Sequence, residues 1–305
     1  MGPTNRNPLA AAKESGYQRI KYYQVIASPS VKYQIYSYLI LTARASIKED
    51  FEIGKRHNNF YEFKDYETKQ VALTWYNSLD EWNVHNHYID WQVMGDYDKT
   101  IGKHYFHVLA GFSQEYNQWK KVGASRRDFY SNDLQELDTG SEEGKGNEGK
   151  GNEWAMRSVF GRLNYAYHDK YLFEANFRYD GSSRFAKGRR YGFFPSFSGA
   201  WRISEEPFLK EKENLGNMKL RVSWGKLGNQ DIDLYQYMHT MSLGQNYTLN
   251  GQLLSGAAQT ALANELISWE TTTSFDVGFD LGLWKNKFTF CLLYTSDAAD
   301  DLTRV

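Results

Sequence analysis

Cysteine is nearly absent: Cys291 is the only one in 305 residues. That excludes an internal disulfide and a multi-cysteine metal site. Net charge is almost absent as well. The 36 Lys and Arg and 37 Asp and Glu leave −1 at pH 7, and the basic residues are scattered apart from the short run Lys187–Arg190. Electrostatics therefore gives no case for a nucleic-acid partner. No apolar run approaches the roughly 20 residues that a membrane helix needs. The opening residues MGPTNRNPLAAAKES show no apolar signal-peptide core, and Arg6 breaks the myristoylation pattern. Proline is scarce, at 5 residues, whereas aromatics reach 16% with 23 Tyr and 9 Trp. Such an excess of Tyr suits strands and membrane-interface belts. On composition alone it equally suits a soluble, Tyr-rich β-sandwich.

What the chain does have is alternation. Tyr171, Phe173, Ala175, Phe177 and Tyr179 fall on one face of an extended segment, with Glu174, Asn176, Arg178 and Asp180 on the other. Phe193, Phe197, Gly199, Trp201 and Ile203 repeat the pattern. So do Met218, Leu220, Val222 and Trp224 against Lys219, Arg221 and Ser223, and Phe275, Val277, Phe279 and Leu281 against Asp276 and Asp280. Weaker versions cover Leu39–Lys48, Ile89–Tyr97, Phe106–Phe112 and Val159–Tyr167. A period of two marks strands, and a charged second face is one that stays solvated.

The connections alternate between short and long. Short ones are expected near 37–38, 98–103, 168–170, 205–217 and 284–287. Long loops are expected at about 49–86, 117–156, 181–190 and 228–267. Tight turns at one end and large loops at the other, joined by segments of roughly 10 residues, is the plan of a transmembrane β-barrel. Tyr167, Tyr171, Trp201 and Trp284 sit beside turns, as an interfacial girdle would. The fold class expected is therefore all-β: an antiparallel, up-and-down transmembrane β-barrel, here about ten strands of a larger one. The alternative is a soluble β-sandwich carbohydrate-binding or adhesin module, with the apolar face buried between two sheets.

Few motifs carry chemistry. The repeat EGKGNEGKGNE (143–153) reads as a disordered loop tip. His85 and His87 share a strand face, but no carboxylate partner is evident for a metal, so they read as a solvated loop pair. DGSSR (180–184) lacks the helix that a phosphate loop opens into. The segment 228–240 sets Asp231 and Asp233 beside Tyr235 and Tyr237, acids next to flat rings, and these four are the loop candidates for ligand contact. Asn246–Thr248 forms a glycosylation sequon. No nucleophile elbow, metalloprotease motif or spaced carboxylate pair is present, so no enzyme activity, cofactor or metal is expected.

The blocks FGRLNY, RYDGSSRF, GFFPS, WRISEE and GKLGNQ occur in order between residues 160 and 230. In that order the chain resembles the SusC/RagA-like TonB-linked outer-membrane proteins. YDKTIGKHYFHVLAGF and NPLAA extend the resemblance along most of the chain. The resemblance implies a plugged barrel of about 22 strands in the bacterial outer membrane. It also implies import of glycan or peptide fragments, a SusD-like lipoprotein partner, and energisation by the TonB system. The plug and the TonB-contacting segment are not visible, so residues 1–291 are expected to be a central part of such a barrel. Residues 292–305 lose the alternation, with Asp297, Asp300 and Asp301 crowding in, and read as a foreign tail. In a barrel, Arg162, Asn164, Glu174, Asn176, Arg178, Arg202 and Arg221 would face the lumen, with Glu174 as partner for an arginine on a neighbouring strand.

Overall fold

Extended backbone accounts for most of the chain. The computed structural model describes residues 8–65, 67–210 and 215–299. A short helix α1 (Pro8–Glu14) precedes strands β1 (Gly16–Ala27), β2 (Ser30–Tyr36) and β3 (Leu39–Asn58). The hairpin β4 (Tyr61–Lys64) and β5 (Val71–Trp75) follows, then β6 (Ser78–Ile101), β7 (His104–Arg127), β8 (Gly146–Tyr167), β9 (Tyr171–Ser182) and β10 (Tyr191–Arg202). A 3-10 turn (Ile203–Glu205) and α2 (Pro207–Lys210) lead into β11 (Leu215–Asn229). Four short strands come next: β12 (Thr240–Leu243), β13 (Tyr247–Leu249), β14 (Gln252–Leu254) and β15 (Ala257–Ala261). Strands β16 (Glu270–Leu283) and β17 (Phe288–Ala299) complete the set.

One antiparallel meander runs β1-β3-β6-β7-β8-β9-β10-β11-β16-β17, with β2 also paired to β3. That is the expected count of about ten. The order ends at β1 and at β17, so the sheet does not close on itself among the described residues.

The chain divides into two compact units. The larger comprises Ser28–Ala45, Asp90–Tyr116 and Trp154–Val305. Its register puts the alternating residues where the sequence predicts. Phe197 lies opposite Ala175 on one side and Trp224 on the other, and Trp224 lies opposite Phe275. Trp201 pairs with Tyr171 and Leu220, and Leu220 with Phe279. The aromatic residues therefore share one face. Most of them remain well exposed, from 37% for Trp201 to 56% for Phe193, with Phe279 intermediate. Among the described residues the buried hydrophobic side chains are only Leu79, Phe129, Ala166, Phe185 and Phe194. A sandwich would bury its aromatic face in a second sheet, so that alternative fails.

The turns of the larger unit are tight. His168 and Asp169 have φ of 53° and 54°, and the Lys170 amide donates to the Tyr167 carbonyl at 3.0 Å. Two consecutive positive φ values are the signature of the type I′ hairpin turn, whose twist matches that of paired strands. Rings cluster there: Tyr171 stacks on Tyr167 and on Trp201, both at 6.5 Å, and Tyr38 meets Tyr97 at 5.6 Å. Three of the four rings read from the sequence as a girdle, Tyr167, Tyr171 and Trp201, gather at this turn. Strand β17 pairs with β16 from Phe288 to Ala299. Part of the expected tail is thus strand, while Asp300 and Asp301 lie outside the described residues.

The smaller unit comprises Met1–Ala27, Ser46–Ile89 and Asn117–Glu153. Here the expected loop bounds need correcting. Strand β3 continues to Asn58, β6 begins at Ser78, β7 continues to Arg127 and β8 begins at Gly146. The loop expected at 49–86 shrinks to 59–77 and that at 117–156 to 128–145, and most of the glycine-rich repeat is strand. The alternation disappears in these stretches because both faces carry polar side chains, while the backbone ladder continues regardless of them. Lys121 on β7 reaches Glu148, inside the repeat, at 2.5 Å. Two asparagines tie the loops down by the same device. Asn77 bonds both the amide and the carbonyl of Phe129, at 2.8 and 2.9 Å. Asn132 does the same to Phe60, at 2.6 and 3.0 Å. Each amide side chain stands in for a strand partner and satisfies backbone groups that would otherwise be orphaned.

Candidate functional site: the polar face and its cavities

Strand parity puts all seven lumen candidates opposite the aromatic face. Arg162 pairs with Asn176, Asn164 with Glu174, and Ala200 with Arg221. The structure does not bring the seven into one constellation. Asn164, Glu174 and Arg221 line a cavity of about 420 Å³ with Ser198, Lys219 and Asp276. The side-chain amide oxygen of Asn164 is buried and has no hydrogen-bond partner among the described residues. Arg162 Nε donates to Asn176 Oδ1 at 2.7 Å, and Asn176 Nδ2 donates to Glu174 Oε1 at 2.7 Å. Glu174 was expected to meet a neighbouring-strand arginine directly. It meets Arg162 through Asn176, because the directly opposed residue is Asn164 and Arg162 lies across from Asn176. Arg221 pairs with Asp280 at 3.2 Å.

Arg178 belongs to a second network nearer the loops. Its guanidinium forks onto Asp180 at 3.0 and 3.2 Å and reaches Ser158 Oγ at 3.1 Å. Asp180, Ser158 and Ser182 are all buried. The RYDGSSRF block is thus a structural knot and not a phosphate loop. Beyond it, Arg184 donates to the Ile232 carbonyl and lies over Trp154 at 5.5 Å. Trp269 Nε1 donates to the Arg190 carbonyl at 2.8 Å, and Phe185, fully buried, packs on Trp269 at 5.3 Å. The segment after β11 is therefore clipped to the segment after β9. In it Asp231 and Asp233 are exposed, with Gln236 donating to Asp233 at 3.4 Å. Tyr235 has φ 67°, and Tyr237 is half-buried beside it.

Arg202 sits at the turn end, on Asp169 O and Glu205, both at 3.1 Å. Beside it Glu206, in the WRISEE block, accepts from Lys170 at 3.0 Å, Trp201 Nε1 at 3.0 Å and Tyr171 OH at 2.9 Å. Those donors, Lys170 first, hold the Glu206 carboxyl below the ordinary glutamate value of 4.5.

In the smaller unit His85 and His87 do have a carboxylate partner. Glu49 accepts from His85 Nε2 at 2.7 Å through one oxygen and from His87 Nδ1 at 2.6 Å through the other. The sequence could not show this, since Glu49 lies on another strand. No group of three or more His, Cys, Asp or Glu among the described residues could hold a metal ion.

The sequence also missed a second cavity, about 570 Å³, in the smaller unit. It is lined by Trp82 and Trp119, by Glu52, Asp80, Glu81 and Glu148, by Arg56 and Lys121, and by Ser125 and Asn147. Trp82 is fixed by a 2.6 Å bond from Nε1 to Glu52. Its ring lies against Gly54, where any Cβ would run into the indole.

The comparisons with known proteins agree with this geometry. A family model described as "TonB dependent receptor-like, beta-barrel" matches residues 5–296. The TonB-dependent receptor P3 of Formosa agariphila is 34% identical over 209 residues, which cover 68% of this chain and 21% of the relative. The TonB-dependent receptor SusC of Bacteroides thetaiotaomicron is 28% identical over 306 residues, covering 93% of this chain and 28% of the relative. Among solved structures, the RagAB peptide importer in its open-open state is similar with a TM-score of 0.83 at 22% identity, over 97% of this chain and 31% of that one. At that identity the likeness concerns the fold. The chain spans between about a fifth and a third of the length of these relatives.

Proposed function

The chain belongs to the TonB-dependent receptor β-barrel family of outer-membrane proteins, and from that membership we propose that it forms part of the wall of a nutrient importer. The whole protein would take up glycan or peptide fragments, with a SusD-like surface lipoprotein as partner and the TonB system as energy source. The observation that carries the reading is the two-sided sheet of the larger unit, with exposed rings on one face and a ladder of polar side chains on the other. Rings facing hydrocarbon gain burial, whereas an outward arginine would cost roughly 2–4 kcal/mol near the midplane. The polar face is left to line the lumen.

The chemistry of that lining suits a removable plug. Arg162–Asn176–Glu174 and Arg221–Asp280 are hydrogen-bonded but partly exposed. Exposed pairs of this kind contribute little each, so they can exchange partners with a plug or with passing solute at small cost. The solved neighbour is an importer of peptides, which supports the peptide arm of the proposal. The relative SusC supports a SusD-like partner through the pairing its family implies.

The test is deletion of the full-length gene, followed by uptake of fluorescently labelled oligosaccharides and peptides and complementation with the wild-type gene. Loss of uptake of one class, restored by the gene, is expected. Unchanged uptake of both classes would sink the importer reading.

A further inference from the structure

We propose that His57 is an acid-released latch: while its imidazole is neutral it holds the segment 128–145 against β1 and β3, and when the ring takes a proton the segment lets go. The latch lies within the smaller unit and does not depend on the importer reading.

The ring is packed as an apolar side chain would be. His57 is the penultimate residue of β3, beyond the alternating stretch Leu39–Lys48, and lies directly opposite Tyr17 on β1. None of its surface is exposed. The rings of Tyr17 and Phe129 flank it, with centroids 6.0 and 6.5 Å away. Neither imidazole nitrogen has a hydrogen-bond partner among the described residues. Buried polar groups are nearly always bonded, so an unpartnered histidine here is a standing cost that a phenylalanine or leucine would avoid. A neutral imidazole tolerates such a site. An imidazolium does not, because a desolvated charge without a partner costs far more.

The charged and titratable neighbours do not offset that cost. From β1 comes Tyr17, with Arg19 over its ring at 5.5 Å. From β3 itself comes Lys55, which is held by Glu81 of β6 at 2.8 Å and by Glu136 of the segment at 3.4 Å. Asp128, next to Phe129, is exposed. Burial is the dominant influence and pushes the imidazole below the ordinary 6.5; Asn59 pulls the other way and Lys55 adds to the lowering.

The contacts that close the segment surround this ring. Asn77 bonds the amide and the carbonyl of Phe129, and its own carbonyl accepts from the Asp128 amide at 3.2 Å. Gly140 lies so close to the Phe129 ring that any Cβ would run into it. Tyr17 OH donates to Gln135 at 2.8 Å, and Lys55 Nζ donates to the Gln135 carbonyl at 2.5 Å. Water reaches His57 only if Phe129 moves, and moving Phe129 breaks the bonds to Asn77. The closed form therefore has the lower imidazole pKa and the open form the ordinary one. Closure is fully stable above about pH 6.5 and is lost as pH falls through the closed-form value. One proton taken up on opening raises the opening equilibrium by up to about tenfold per pH unit in that window. Carboxylates ordinarily titrate near 4, so a transition between about pH 6.5 and 5.5 belongs to histidine. The other two histidines of this unit, His85 and His87, are partly exposed against Glu49 and serve as the control.

The experiment is hydrogen–deuterium exchange on the full-length receptor in detergent at about pH 7.5, 6.5 and 5.5, corrected for the intrinsic rate and read on peptides covering 126–141. Protection in the wild type is expected to fall by up to about tenfold between pH 6.5 and 5.5. It should stay flat in His57→Phe and in His57→Leu, which keep an apolar group in the site, and should still fall when His85 and His87 are both replaced by Gln. Separately, slow exchange at the imidazole C2 carbon of the wild type measures the His57 titration without any variant, and a midpoint below 6.5 is expected. Constant protection in the wild type, an equal fall in either His57 variant, loss of the fall on replacing His85 and His87, or a His57 midpoint at or above 6.5 would each overturn the proposal.

Discussion

Replacing Phe197 with arginine places a charge in the middle of the aromatic face. Phe197 lies four positions from Trp201 along β10, and Trp201 marks the turn-side girdle with Tyr171. Four residues at about 3.3 Å each, tilted by about 40° in a barrel wall, carry position 197 to a depth of about 10 Å. The apolar band is about 25 Å tall, so this is close to the midplane. There an arginine costs roughly 2–4 kcal/mol, a factor of about 30 to 1000 in the folding equilibrium. Loss of the 6.1 Å stack on Trp224 adds about 0.5–1.5 kcal/mol. The neighbouring Ser198→Arg is the control. It lies opposite Glu174 and Ser223, on the polar face, where a surface substitution shifts stability by only about 0.5 kcal/mol either way. Urea titration of the full-length barrel refolded into short-chain lipid vesicles, read by the heat-modifiable gel band, measures both. Phe197→Arg should lower the midpoint strongly and Ser198→Arg hardly at all. Equal losses, or a larger loss for Ser198→Arg, would mean that the faces are exchanged.

Phe185→Ala should release the segment after β9 without affecting insertion, since the ring is fully buried against Trp269 and such a truncation costs about 3–5 kcal/mol; faster trypsin cleavage at Arg184 and Arg189 is the readout, and unchanged cleavage would refute the anchor. Asp180→Asn should cost about 1–3 kcal/mol by weakening the buried acceptor of Arg178, seen as a lower urea midpoint than in an Asp231→Asn control on the exposed loop. Glu206 gives a pH dependence whose sign is fixed by its lowered pKa: the anchoring is fully present above the unfolded-state value, near 4.5, and is lost as pH falls through the folded-state value. Glu206→Gln should therefore flatten the acid limb of the stability curve below about pH 4.5, and an unchanged limb would exclude Glu206 as its source.

The sequence was legible where one face meets hydrocarbon and the other does not. Residues 171–180, 218–224 and 271–281 alternate because opposite faces of those strands meet opposite environments, and their faces came out as read, whereas Trp269, just before β16, turns to the polar side and packs on Phe194. Residues 49–58, 78–86, 117–127 and 146–153 are strands of the same ladder. There Glu49 and Asp50, or Lys120 and Lys121, occupy adjacent positions, so the period of two carries no hydrophobic signal. What decides those segments is pairing with a neighbouring strand, and a single strand's pattern contains none of that information.

The same limit explains which parts of the candidate site were missed. Parity along one strand is enough to say that Arg162, Glu174 and Arg221 share a face. It cannot say that Asn176 stands between Arg162 and Glu174, or that Glu49 bridges His85 and His87, because each depends on a second strand's register. The glycines carry that register in a readable form once it is known. Gly161 lies directly opposite Phe177 and receives its ring. Gly111 receives the ring of Phe160, and Gly54 that of Trp82. Glycine inside a strand is ordinarily a loss, so its recurrence beneath aromatic rings of neighbouring strands assigns it a packing role. In FGRLNY the glycine meets Phe177, only sixteen residues away in sequence. Between Gly54 and Trp82 the separation is twenty-eight residues, with a loop and a hairpin intervening, and the packing of ring on glycine leaves no trace in either segment alone.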